Sequence, residues 1–217
     1  MKKKNIVKIA SLAAIILLAG VGATFAYFTD SQSASNILSM GHVDISLTEE
    51  MKDPSNPDGP AVPYQDPTNL MPGDVISKMP KITVEQDSLA CYIRAVVTIT
   101  NPAAAEPPLT IADINVSEDW VIVPDKKAEN IWYCYYVGGE EAGIVSPGQT
   151  LQLFSEVELP GRWQNEMNDT QVVVDIKAEA IQADHFTPSY ERENGKIISC
   201  SWLNTEGKEV EAEVYKK

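Results

Sequence analysis

Histidine is nearly missing from this chain: its 217 residues include only His42 and His185. That scarcity excludes a His-Glu-x-x-His zinc helix, which needs two imidazoles one turn apart with a carboxylate base between them. His42 falls on the polar face of a predicted strand and His185 in a predicted loop, so both read as exposed side chains. Cysteine is as scarce: Cys91, Cys134 and Cys200 form no CxxC pair and no Cys/His metal spacing. Positive charge is in deficit too, with 17 Lys and Arg against 31 Asp and Glu, a formal net charge of −14. So acidic a surface repels nucleic acid and anionic lipid headgroups, and neither is expected as a partner. The sequence has no Gly-x-Ser-x-Gly elbow, no P-loop and no Gly-x-Gly-x-x-Gly run. Carboxylates are so numerous that their pairing identifies nothing. We expect no catalytic site, no cofactor and no resident metal ion.

Long apolar runs are also lacking, except at the start. Lys2, Lys3, Lys4 and Lys8 precede an uncharged stretch from Ile9 to Ala23, and Thr24-Phe25-Ala26 then offers the small residues that a signal peptidase reads. This is the pattern of a secretory signal peptide cleaved between Ala26 and Tyr27. The rival reading is a retained anchor. It is disfavoured because the 15 uncharged residues fall short of the ~20 that span a bilayer. Cleavage leaves residues 27–217, a length of one domain. It removes four lysines and no acid, so 13 basic side chains face 31 acidic ones, a net charge of −18. No second hydrophobic segment and no cell-wall sorting motif follow, so no membrane association is expected after cleavage. In an exported chain the three cysteines allow one disulfide and a leftover thiol. Cys91 and Cys134 lie in strand-like runs and read first as small buried hydrophobes.

Helical periodicity is absent beyond the signal. Val43, Ile45 and Leu47 alternate with His42, Asp44, Ser46 and Thr48, a half-buried strand. The stretch 53–67 carries Pro54, Pro57, Pro60, Pro63 and Pro67 and reads as a long loop. Its Asp53, Asp58 and Asp66 raise calcium, but Pro57 stands where an EF-hand ligand belongs. Met71-Pro72-Gly73-Asp74 is a turn into a strand through Val75-Ile76 and Ile82-Thr83-Val84. Cys91–Thr100 is a β-branched strand with Ile93, Ala95, Val97 and Ile99 on one face. One short helical turn is expected within Leu109–Asn115. Strands follow at Trp120–Val123, at Ile131–Val137, and through Leu151, Leu153, Val157 and Leu159. Gln171–Ala183 puts Val172, Val174, Ile176, Ala178 and Ala180 on one face and Asp175, Lys177 and Glu179 on the other. Residues 184–195 read as polar loop. Ile197–Leu203 and Glu209–Tyr215 then frame Asn204–Lys208 as a hairpin, with Gly207 at the left-handed position.

Many short strands with Pro- and Gly-rich turns describe an all-β antiparallel β-sandwich. The expected division is a signal peptide over 1–26, a sandwich domain over 27–184 and a C-terminal β-hairpin extension over 185–217.

The junction Ala23-Thr24-Phe25-Ala26-Tyr27-Phe28-Thr29-Asp30 resembles the signal class of the TasA/camelysin family. So do Ser33-Ala34-Ser35-Asn36 and Gly41-His42-Val43-Asp44-Ile45. Met71–Asp74 and Ala178–Asp184 fit as well. The resemblance implies secretion by a Gram-positive bacterium, processing by a SipW-type signal peptidase, and a jelly-roll-like form of the sandwich. It also implies a structural role as a biofilm-matrix or surface-fibre subunit. In that reading, processing frees the segment from Tyr27, which adds as a strand to the next subunit. Tyr27, Phe28, Ile37 and Leu38 would fill its pockets, and a head-to-tail contact of this kind builds a homo-oligomer or fibre. Two alternatives stand beside it. The aromatic set Trp132, Tyr133, Tyr135 and Tyr136 points to a monomeric, adhesin-like binding module. A camelysin-type metalloprotease rests on the family description alone.

Overall fold

The computed structural model describes residues 42–139, 143–167 and 170–210. Among these the chain is built from strands and 3-10 turns. In order they are β1 (Ile45–Met51), β2 (Val62–Pro63), β3 (Val75–Ser77), β4 (Met79–Val84), β5 (Cys91–Thr100), β6 (Trp120–Pro124) and β7 (Ile131–Tyr136). There follow β8 (Ile144–Val145), β9 (Thr150–Gln152), β10 (Glu156–Glu158), β11 (Val173–Gln182), β12 (Phe186–Glu193) and β13 (Lys196–Asn204). The turn expected within Leu109–Asn115 is the 3-10 turn Ile111–Asp113, where Thr110 caps Ala112 N–H and the Asp113 carboxylate accepts from Thr110 N–H. No helix among the described residues is long and apolar enough to cross a membrane.

Two antiparallel sheets pack face to face. The first runs β2-β1-β4-β9 and the second β11-β5-β7-β6, with β8 pairing the start of β5. Their shared core follows from period-two alternation. Ile93, Ala95, Val97 and Ile99 of β5 are 0% exposed, and they meet Ile45 of β1, Ile82 and Val84 of β4, and Ala178 and Ala180 of β11. The all-β sandwich expected from the sequence is therefore the fold, and the strand at Cys91–Thr100 has the predicted bounds.

The outcome differs in two places. The run read as one strand through Leu151, Leu153, Val157 and Leu159 is broken into β9 and β10, and β3 and β4 are parted at Lys78. Both breaks face each other in one ribbon. Its register is unchanged from Thr83↔Thr150 to Val75↔Glu158, and Lys78 N–H and Leu153 N–H still donate to Ser155 O and Pro80 O. Pro80 has no N–H to return, so the ladder thins there. The slack lets consecutive Leu153 and Phe154 both bury, although Phe154 is out of step with the alternating Leu151, Leu153, Val157 and Leu159.

The second difference is at the C-terminus. Residues 184–195 are not a loop: they hold β12, which pairs with β13 from Phe186↔Asn204 to Glu193↔Lys196. The signal was Asn194-Gly195. Both residues have positive φ, 51° and 82°, the geometry of a two-residue hairpin turn. The Asn204–Lys208 turn also exists, with Gly207 at φ 73° and Val210 N–H returning to Trp202 O. It is a second reversal following the hairpin.

Hairpin β12-β13 makes a third layer on the outer face of the second sheet. Phe186, Cys200 and Trp202 cover Tyr92, Tyr135 and Ile181. Part of the outer face, the side to which alternation assigns Glu179, is therefore buried: Arg94 is 7% exposed and Glu179 3%.

Candidate functional site

The cleavage residues Ala26 and Tyr27, and the assembly-strand residues Tyr27, Phe28, Ile37 and Leu38, lie outside the described residues. What the structure shows is where the chain downstream of them enters the sandwich, and which sheet edges are open to an added strand.

The longest open edge is β11. Its ten residues pair with β5 along one side from Val173↔Thr100 to Gln182↔Cys91, and its other side pairs with no strand among the described residues. Burial changes along it. Ala178, Ala180 and Ile181 are buried, Val174 and Ile176 are half-buried, and Val173 is exposed. The core is thus closed at one end of the edge and partly uncovered at the other. The added hairpin leaves this edge alone, because β12 and β13 pair with each other and pack on the sheet's face. Strand β1, which the N-terminal segment feeds, approaches β11 at the same side of the sandwich.

The aromatic set is divided between the two cores. Trp132 and Tyr136 pack against the inner core, and Tyr136 meets Trp120 edge-on with ring centroids 5.3 Å apart. Tyr133 and Tyr135 pack beneath the hairpin. Alternation along β7 sends them to opposite faces, so the four rings form no single surface platform.

All three cysteines are free and buried; the structure contains no disulfide among the described residues. Burial pushes each of the thiols Cys91, Cys134 and Cys200 up to about 12. These are packed apolar groups, and the leftover-thiol reading reduces to that.

One cluster of metal-ligating side chains stands among the described residues: His42, Asp44 and Asp87, with one ligand atom of each within 4.8 Å of the others. His42 Nε2 lies 3.6 Å from Asp87 Oδ2. His185 belongs to no such cluster, and neither do the loop aspartates Asp53, Asp58 and Asp66. The Asp53 carboxylate instead accepts from Ser55 N–H and Oγ–H, which hold it below the usual carboxylate range. Sequence reading singled out His42 but not its partners. Asp87 sits in a turn after β4, and nothing local in the sequence announces the contact.

Residues 1–101 match the family described as camelysin metallo-endopeptidase. Over that stretch the chain is similar to the camelysin family. No curated protein and no solved structure matches it. The family description implies a metal, and the donor chemistry can be tested against it. One imidazole and two carboxylates suit a divalent cation. The same cluster lacks the second histidine and the adjacent general base of a hydrolytic zinc centre. His42, Asp44 and Asp87 are the residues that would hold an ion, and there it would supply a cross-link between two chain segments.

Proposed function

We propose that this protein is a secreted, non-catalytic structural subunit. Its N-terminal segment, freed at Tyr27 by a SipW-type signal peptidase, adds as a strand to the β11 edge of the next copy, building an extracellular fibre or matrix.

The observation that carries this reading is the β11 edge. It is ten residues long, unpaired on one side among the described residues, and has half-buried Val174 and Ile176 beside it. An incoming strand completes main-chain hydrogen bonds along that edge and finishes covering those side chains. A polar segment such as Ser31-Gln32-Ser33 suits the role, since the pairing comes from the backbone. The contact is head-to-tail and does not close on itself, so it propagates. The net charge of −18 expected after cleavage keeps free subunits soluble until they pair.

The adhesin-like alternative loses the feature that motivated it, because its aromatic side chains pack in the two cores.

Electron microscopy of untagged protein starting at Tyr27, beside a version starting at Ser39, tests the proposal. Filaments from the first and none from the second are expected. Monomers from both, across salt and pH, would overturn it.

A further inference from the structure

We propose that His42, Asp44 and Asp87 bind one divalent cation of the borderline class, with zinc as the type and manganese as a second occupant. The ion ties the entry of the N-terminal segment to the turn between β4 and β5. Binding stands on the geometry alone; its consequence for assembly rests on the fibre reading above.

The three donors come from two segments. His42 and Asp44 are two residues apart on extended backbone, so their side chains share a face while Val43 between them turns into the core at 4% exposure. Asp87 belongs to the turn in which Ser88 N–H donates to Glu85 O. Donor atoms bound to one ion at about 2.0–2.2 Å stand roughly 3–4 Å apart. The 3.6 Å between His42 Nε2 and Asp87 Oδ2 fits that spacing, and a small side-chain adjustment brings in Asp44 from within 4.8 Å.

The backbone under the cluster is held in place. Leu89 N–H donates to His42 O, Asp44 N–H to Ser88 Oγ, and Glu85 N–H to Asp44 O, each at 3.0 Å. Ser88, which receives one of these bonds, is itself buried. The two ligand-bearing segments are therefore zipped together before any ion arrives, which reduces the ordering that binding must supply.

The charges call for a cation. Asp44 and Asp87 meet no lysine or arginine among the described residues, and the ion-pair partner of Asp87 is His42. Four carboxylates elsewhere on the sheets do meet a lysine or arginine: Glu49 meets Lys78, Glu50 Lys81, Glu156 Lys52, and Glu179 Arg94 and Lys177. Glu85, the other acid of the turn, accepts from Ser46 Oγ at 2.6 Å and is not part of the cluster. Two carboxylates and an imidazole nitrogen are a donor set that suits a dication. The imidazole favours zinc or manganese over the all-oxygen preference of calcium and magnesium. His42 and Asp87 have side chains 51% and 76% exposed, so an ion can enter and water completes its coordination.

The position gives the ion a job. His42 and Asp44 lie on the lead-in to β1, directly after the stretch in which the proposed assembly segment falls. A cross-link to Asp87 fixes the point from which the assembly segment departs.

The test is calorimetric titration of zinc chloride into untagged, chelator-stripped protein starting at Tyr27, repeated with manganese, calcium and magnesium. One equivalent of zinc is expected, with calcium and magnesium at least about tenfold weaker. Asp87→Ala and His42→Ala should each weaken zinc by at least about tenfold, since even outer-sphere partners of a metal matter on that scale. Their melting temperatures without metal should stay at the wild-type value, because both side chains are exposed. Manganese should broaden the amide resonances of Val43, Asp44, Asp87 and Ser88. Absence of zinc uptake, or uptake undiminished in both variants, would overturn the site. Microscopy of the same samples separates the two readings. Zinc uptake without filaments keeps the site and removes the fibre; filaments without zinc uptake do the reverse.

Discussion

Arg94 of β5 and Glu179 of β11 stand directly opposite each other across the ladder and are both buried under the C-terminal hairpin. Arg94 Nε donates to Glu179 Oε2 at 2.9 Å, Nη2 reaches the same oxygen, and Nη1 donates to the Tyr135 hydroxyl at 2.9 Å. Lys177 Nζ occupies the other carboxylate oxygen at 2.9 Å. The guanidinium lies over the rings of Tyr133 and Trp202, 4.7 and 5.1 Å from their centroids. Burial alone would lower the Arg94 pKa; Glu179 and Tyr135 more than offset it, and the group stays charged. The hairpin is thus seated on a polar network whose donors and acceptors are satisfied.

Breaking that pair from one side should be costly. Glu179→Ala leaves a buried guanidinium facing an apolar gap, and a loss of about 3–5 kcal/mol is expected. The double variant Arg94→Met/Glu179→Met should recover much of it, because no charge is then left buried. Urea unfolding of the three proteins measures both numbers. Equal losses in the single and double variants would show that the stranded charge is not what makes the single substitution costly.

Trp202 is 2% exposed and meets Tyr135 edge-on at 5.6 Å. Trp202→Ala should destabilise the protein by about 3–5 kcal/mol. Gly195 offers a gentler probe of the same hairpin. It has φ +82°, and an added Cβ would meet nothing within 4 Å, so Gly195→Ala isolates the backbone cost of a left-handed residue, about 1–2 kcal/mol. Thermal unfolding distinguishes the two sizes.

The thiols predict a pH dependence with a definite sign. Cys91, Cys134 and Cys200 hold their protons up to about 12 in the fold, against an ordinary value of 9.0. Above that ordinary value the unfolded chain releases protons that the folded chain keeps, so stability falls as pH rises, by at most about 1.4 kcal/mol per thiol per pH unit. Below pH 8 the thiols contribute no slope. Urea midpoints between pH 8 and 10.5 test this. Replacing Cys91 with Ala should flatten the alkaline limb. Folded protein should also resist thiol alkylation at pH 8 and become reactive at all three positions in urea.

Val173 is 41% exposed at the open end of β11. A lysine there blunts edge pairing. Val173→Lys should change monomer stability by less than about 0.5 kcal/mol while suppressing filaments. Microscopy and sedimentation read the two effects separately, and normal filaments from this variant would move the acceptor edge elsewhere.

Legibility in the sequence followed the range of the forces involved. Strand β5 was readable because Ile93, Ala95, Val97 and Ile99 sit on one face and a Pro follows at 102. The turn at Met71–Asp74 was readable because Gly73 takes φ 87°. Strand β12 was not, since its side chains are mostly polar and its pairing comes from the backbone ladder to β13. Its short-range clue is Asn194-Gly195, which stands nine residues before the more conspicuous turn Asn204–Lys208. The burial of Glu179 was hidden for the same reason, because alternation gives a side chain's face and not what covers that face.

From the amino-acid order alone came the all-β class, the inner core of the sandwich, the acidic charge and the likeness of the first 101 residues to the camelysin family. Each depends on local periodicity, composition or motif, which sequence neighbours determine. Tertiary structure alone decided that a hairpin packs on the outer face and that one edge of β11 is unpaired among the described residues. It also placed Asp87 beside His42 and Asp44. Most of these contacts join residues distant in the chain, such as Asp87 with His42 and Trp202 with Tyr135, and packing and main-chain pairing select such contacts without leaving a pattern in either segment.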